Sequence, residues 1–104
     1  MNIVNEIGLP AALEQCAEEC SELAQTCIKM SRFLRNENPT PKCQSEIVSS
    51  IAEEMADVLN CIYLLQTPLM IFDDELADIM LNKRDRWEER IKEHKETRGE
   101  KVDD

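Results

Sequence analysis

"EIVSSIAEEMADVLNCIYLLQ", residues 46–66, places apolar side chains at Ile47, Val48, Ile51, Met55, Val58, Leu59, Ile62 and Leu65. At about 100° per residue these fall on one arc of roughly 120°, the signature of an amphipathic helix and not of a strand. Three acids disturb the pattern. Glu54 lies about 20° beyond one edge of the arc, Asp57 about 60° further round on the same side, and Glu53 further still. The helix is predicted to start after Ser45, whose hydroxyl suits a cap, and to end at the Thr67-Pro68 step, because a residue before proline disfavours helical geometry.

Upstream, "CAEECSEL" (residues 16–23) repeats the acidic theme with Glu18, Glu19 and Glu22. It sits in a second amphipathic pattern, built from Leu13, Cys16, Ala17, Cys20, Leu23, Ala24, Cys27, Ile28 and Met30, with Glu19 about 20° outside the apolar arc. That helix is expected from near Pro10, which suits an opening turn, to about Leu34. "RNENPTPKCQS" (residues 35–45) then breaks it with two prolines and two asparagines. Downstream, "TPLMIF" reads as an apolar connector. A third helix is expected from Asp73 or Asp74, acids suited to a helix start, through "ELADIMLNKRDRWEERIKEHKE". Residues 97–104 read as a frayed polar tail.

The expected fold is therefore all-α: a single domain over residues 1–104, forming a small antiparallel helical bundle. With only 2 Gly and 4 Pro in 104 residues, helices are favoured over strands. Two of the three helices carry apolar faces too wide for a three-helix monomer to cover, so completion by oligomerisation is expected. The 22 acidic against 12 basic residues, a net charge of -10, argue against duplex nucleic acid as a partner, since phosphate backbones demand a positive surface. Nucleotides stay open where a cation mediates. No stretch has the length of a membrane span and the start lacks the pattern of a signal peptide, so a cytoplasmic protein without membrane association is expected. The five cysteines are odd in number, form no CxxC, and are accompanied by one histidine, His94. Neither a disulfide framework nor a zinc site is indicated, and Cys16, Cys20 and Cys27 read as core packing.

Residues three apart on a helix are surface neighbours, so Glu19 and Glu22 point into one volume, as do Glu54 and Asp57. Antiparallel packing of the two helices would bring all four carboxylates together. Such a cluster repels itself at the rim of a dry core, and a divalent cation relieves both problems. An oxygen-only donor set selects a hard ion, and Mg2+ characteristically takes a few carboxylates together with water and phosphate oxygens. The alternative is a pair of solvated faces neutralised by ion pairs along the helix. Residues 11–28 and 44–66 contain no Lys or Arg, which leaves no such pairing within either helix. A carboxylate bundle with redox iron is disfavoured because neither acidic motif contains histidine.

Glu18-Glu19-x-x-Glu22 followed by Glu53-Glu54-x-x-Asp57 resembles the motif of the MazG-like all-α nucleoside triphosphate pyrophosphohydrolases, over the first two helices and more weakly the third. The resemblance implies Mg2+-dependent cleavage of a nucleoside triphosphate to monophosphate and pyrophosphate, with Mn2+ as a substitute ion, in a helical dimer or tetramer. It implies Glu19, Glu22, Glu54 and Asp57 as metal ligands, and Glu18 and Glu53 as the further acids, one of which activates water. "LNKRDRW" resembles a family segment whose Lys and Arg serve the phosphates, which implies Lys83 and Arg86, with Asn82 as an additional polar contact. The segment between the motifs is longer than in many relatives. The rival reading from another class is a non-catalytic helical dimerisation or regulatory module whose acidic faces are stabilised by metal. Trp87 fits an interface or core position better than a base platform.

Overall fold

A computed structural model describes residues 1–37 and 43–100. Among these residues the chain forms four helices, α1 (Ile3–Ile7), α2 (Leu9–Arg35), α3 (Gln44–Gln66) and α4 (Asp73–Thr97), and no strand. Pro39 and Pro41 of the expected breaker, and the last four residues of the expected tail, lie outside the described residues. The rest divide into two compact units, one from Met1 to Met70 and one from Ile71 onward.

The first helix expected from the sequence, Pro10 to about Leu34, is α2, and a short helix that was not expected, α1, precedes it. The Asn2 side chain accepts a hydrogen bond from the Asn5 N–H at 3.0 Å and caps α1, a turn that periodicity over five residues is too short to reveal. Gly8, at φ 89° and ψ 151°, separates α1 from α2. A Cβ there would meet nothing closer than 3.9 Å, so glycine is required by the backbone conformation and not by space. Pro10 then sits in the first turn of α2, as anticipated. At the other end Asn36 takes the left-handed conformation, φ 56°, and the Glu37 N–H returns to the Arg32 carbonyl at 3.2 Å, closing the helix.

α3 begins one residue before the expected cap. Cys43 is the N-cap, without a side-chain cap bond, and Ser45 lies inside the first turn beside it, its Oγ 3.1 Å from the Cys43 Sγ. α4 starts at Asp73 as expected, with Asp73, Asp74 and Glu75 at its positive end and His94 and Lys95 at its negative end, each complementing the helix dipole. Gly99, at φ 72°, terminates it.

Packing in the first unit is dominated by α2 against α3, with α1 touching both. The withdrawn residues of α2 run through Ala12, Cys16, Glu19, Leu23, Thr26, Met30 and Phe33. Those of α3 run through Ile47, Ile51, Glu54, Val58, Cys61 and Leu65. Both sets advance by alternating steps of four and three, the spacing of a coiled-coil seam. Cys16 meets Cys61 while Glu22 meets Glu54, so the two seams run in opposite directions and the helices form an antiparallel hairpin. Ala12, Ile47 and Cys61 of the hairpin and Val4 of α1 are the buried residues among those described.

A second apolar stripe on each helix remains exposed. On α3 it comprises Val48, Ala52, Met55, Leu59 and Ile62, and on α2 Leu13, Ala17, Cys20, Ala24, Cys27 and Leu34. The broad arc read from the sequence is therefore two seams about 100° apart, of which only one is packed within the chain. This corrects the reading of the cysteines: Cys20 and Cys27 are exposed, and only Cys16 and Cys61 face the interior. No residue of α4 is buried, and Trp87 is 65% exposed.

Candidate metal centre

Glu19 and Glu54 occupy seam positions where a coiled coil ordinarily places Leu or Ile. Viewed along α3, the packed face is centred close to Glu54 and not on the middle of the apolar arc, so an acid that looked marginal in the sequence is central in the hairpin. Glu19, Glu22 and Glu54 each offer a carboxylate oxygen within 4.8 Å of the others. Glu19 and Glu54 are half-buried and Glu22 is exposed. Ligands on opposite sides of one Mg2+ are about 4.2 Å apart and those of Ca2+ about 4.8 Å, so a single hard cation spans this separation.

The donor chemistry fits as well. Glu19 Oε1 accepts a hydrogen bond from Gln15 Nε2 at 2.8 Å, which fixes the carboxylate. Glu19 Oε2 and Glu54 Oε2 are sealed from solvent and have no hydrogen-bond partner. Two shielded carboxylate oxygens without donors, from facing helices, are costly to leave bare and suited to a cation. Asp57 is the fourth expected ligand. It stands close enough to act on both Glu19 and Cys61, but outside the set of three converging oxygens.

Glu18 and Glu53, the expected water-activating acids, are exposed on α2 and α3. Asn82, Lys83 and Arg86 are exposed on α4, in the second unit. There Lys83, Arg84 and Trp87 edge an open surface hollow of about 500 Å³, floored by Ala77, Met80 and Leu81. Arg84 lines this hollow together with Lys83, and Arg86 is not among its lining residues. Gln15 was missed altogether. Its signal was available, since it lies four residues before Glu19 and therefore on the same helix face.

Electrostatics follow the geometry. The hydrogen bond from Gln15 pulls the Glu19 pKa down, but desolvation and the neighbouring carboxylates of Asp57 and Glu22 together outweigh it, and the pKa is raised. Desolvation and the neighbouring Cys20 raise that of Cys16, and desolvation followed by the charge of Glu19 raises that of Cys61.

A carboxyl whose pKa is higher folded than unfolded contributes stability that is present below the unfolded value, near 4.5, and lost as the pH rises through the folded value. In EDTA, the melting temperature of the wild type relative to Glu19→Gln is expected to rise as the pH falls from neutral toward about 4.5. Parallel melting profiles for the two proteins over that range would contradict the assignment.

No protein-family model, curated protein or solved structure matches this chain.

Proposed function

We propose that this chain is a Mg2+-dependent nucleoside triphosphate pyrophosphohydrolase of MazG-like type, which cleaves an NTP or dNTP to the monophosphate and pyrophosphate and serves the upkeep of the nucleotide pool. The observation that carries the reading is the pair of shielded, unpartnered oxygens on Glu19 and Glu54, two of the three acids whose carboxylates converge between helices that lack any Lys or Arg at this level. Glu19, Glu22 and Glu54 hold the ion, with Asp57 as the nearest further carboxylate. Mg2+, or Mn2+ in its place, supplies neutralisation of phosphate charge and acidification of a bound water.

The chain's own groups account for the remainder. Glu18 or Glu53 accepts the proton of the water that attacks the α-phosphorus, and the bond from that phosphorus to the bridging oxygen breaks, releasing pyrophosphate. Lys83 and Arg86 supply positive charge to the phosphates, and Asn82 a polar contact. The chain acts as a homodimer or homotetramer. In an antiparallel hairpin, turning each helix by the same 100° from its packed seam brings both second stripes to one side, so Met55 and Leu59 of α3 and Leu13 and Leu34 of α2 form a continuous apolar face. A second copy of this face is its natural cover, giving a four-helix core. The same face supports the second reading, an assembly module without catalysis, from which turnover alone distinguishes an enzyme.

The test is a panel of canonical and modified nucleoside triphosphates incubated with Mg2+, with the products separated. Monophosphate and intact pyrophosphate are expected, and orthophosphate with diphosphate would refute the bond assignment. Lys83→Ala and Arg86→Ala should each lose about 1.5–3 kcal/mol of transition-state stabilisation. If both retain wild-type kinetics they leave the site, and Arg84 becomes the cation to test.

A further inference from the structure

The first unit holds a hollow that the hydrolysis scheme leaves unused. It lies between α1 and the C-terminal end of α3, has a volume of about 350 Å³, and is lined by Asn2, Val4, Asn5, Tyr63, Leu64 and Thr67 among others. That volume is within the range of small-molecule pockets. Val4 and Leu64 give it apolar wall, Tyr63 a ring that is 64% exposed, and Asn2, Asn5 and Thr67 two amides and a hydroxyl. The Asn2 Oδ1 is taken by the Asn5 N–H, which leaves the Asn2 NH₂ group as a donor. None of these six side chains is charged at neutral pH. The hollow therefore suits a flat neutral ring with hydrogen-bonding edges, and not a phosphate or a metal ion.

A line of residues joins it to the carboxylate cluster. Along α3 and its C-cap Thr67, the residues Glu53, Asp57, Asn60, Leu64 and Thr67 advance in steps of four, three, four and three, and so share one flank of the helix. Asp57, the carboxylate beside the cluster, and Leu64, in the wall of the hollow, are two turns apart, about 10 Å. Asn60 is exposed between them. Met55, Leu59 and Ile62 lie on the opposite side of α3 from Asp57, Asn60 and Leu64, so covering the second apolar stripe with another copy leaves this line open.

We propose that the hollow receives the base of the nucleotide whose phosphates meet the cluster, with Asn60 beside the sugar. The identity of the ligand rests on the hydrolase reading; the place rests on α1 and α3 alone. A single ribose links the α-phosphate to the base, which matches a base site two helix turns from the acids. Tyr63 offers a face for stacking, and Asn2, Asn5 and Thr67 offer donors and acceptors to the base edge. A site that hydrogen-bonds one edge leaves its own groups unpaired against another, so these residues set the choice among bases.

The whole isotope-labelled protein, titrated in Mg2+ with the α,β-methylene triphosphates of adenosine, guanosine, cytidine and uridine, tests this, with inorganic tripolyphosphate as the control that carries no base. The amide resonances of Asn5, Tyr63, Leu64 and Thr67 are expected to shift with at least one nucleotide analogue and to stay in place with tripolyphosphate. In turnover, Asn5→Ala and Thr67→Val are expected to change the ratio of kcat/KM between the best and the poorest base by about 5-fold or more, while Mg2+ binding without nucleotide is unchanged. Those shifts without any turnover would remove the hydrolase and keep the binding site. Absence of the shifts, equal shifts with tripolyphosphate, or turnover whose base ratios are the same in both variants as in the wild type would each overturn the proposal.

Discussion

On the proposed function, replacing Glu54 with Gln is expected to lower turnover by about 10²–10³-fold and to abolish a rise in melting temperature that Mg2+ is expected to give the wild type. Gln has nearly the same shape, so the seam between α2 and α3 keeps its packing. What is lost is the negative charge and one anionic donor from the three converging carboxylates. A cation held by three or four carboxylates depends on each of them. The metal-free variant should be at least as stable as the wild type, because Glu54 Oε2 is shielded and unpartnered there and its removal relieves repulsion with Glu19 and Glu22. The outcome therefore has two signs: stability maintained or raised in EDTA, and both cation response and turnover lost. A variant that is destabilised in EDTA would mark Glu54 as a structural acid, and one that keeps its turnover would remove the carboxylates from the reaction. Glu19→Gln should behave in the same way, since its oxygen faces the same volume from α2.

Much of this was legible in the sequence, for identifiable reasons. Apolar spacing, the Thr67-Pro68 step and the acids at Asp73 and Asp74 located α3 and α4 to within a residue or two, because long helices repeat their signal over many turns. α1 escaped because a five-residue helix capped by Asn2 has no periodicity to detect, and Gly8 alone marks its end. The acidic cluster was anticipated as four convergent carboxylates, and three converge with the fourth nearby. Glu19 and Glu54 are half-buried, as expected of acids at the rim of an apolar arc. A helical wheel averages every apolar residue into one arc, and α3 has two seams, so the centre of the arc falls between them and Glu54 seems to stand at its edge. The same averaging assigned Cys20 and Cys27 to the interior along with Cys16. Which seam is packed within the chain depends on the partner helix, and periodicity in one helix carries no trace of it.

The exposed seam leads to the second large effect. If the chain assembles as proposed, changing Met55 and Leu59 together to Glu is expected to leave single chains at micromolar concentration where the wild type sediments as an oligomer. These two residues, 52% and 48% exposed, stand at the middle of the second stripe of α3, with Val48 and Ile62 at its ends. In a four-helix core each would be buried against the partner hairpin, and a Glu at either position would be withdrawn from water without a cation to meet it, because residues 11–28 and 44–66 of both copies contain no Lys or Arg. The chain already carries an excess of ten negative charges, so added acids also strengthen the repulsion between copies. Within one chain the same side chains touch solvent, and the substitution leaves the α2–α3 seam intact, so helicity and the binding of Mg2+ to isolated hairpins should persist. Turnover then becomes informative. If separated chains bind the ion and still hydrolyse the triphosphate, the site is complete in one copy; if they bind it and fail to turn over, the partner supplies the positive charge that α2 and α3 lack. Unchanged sedimentation of the double variant would show that this stripe is not the interface and would direct the search to α4, where Met80, Leu81 and Trp87 are each more than 60% exposed.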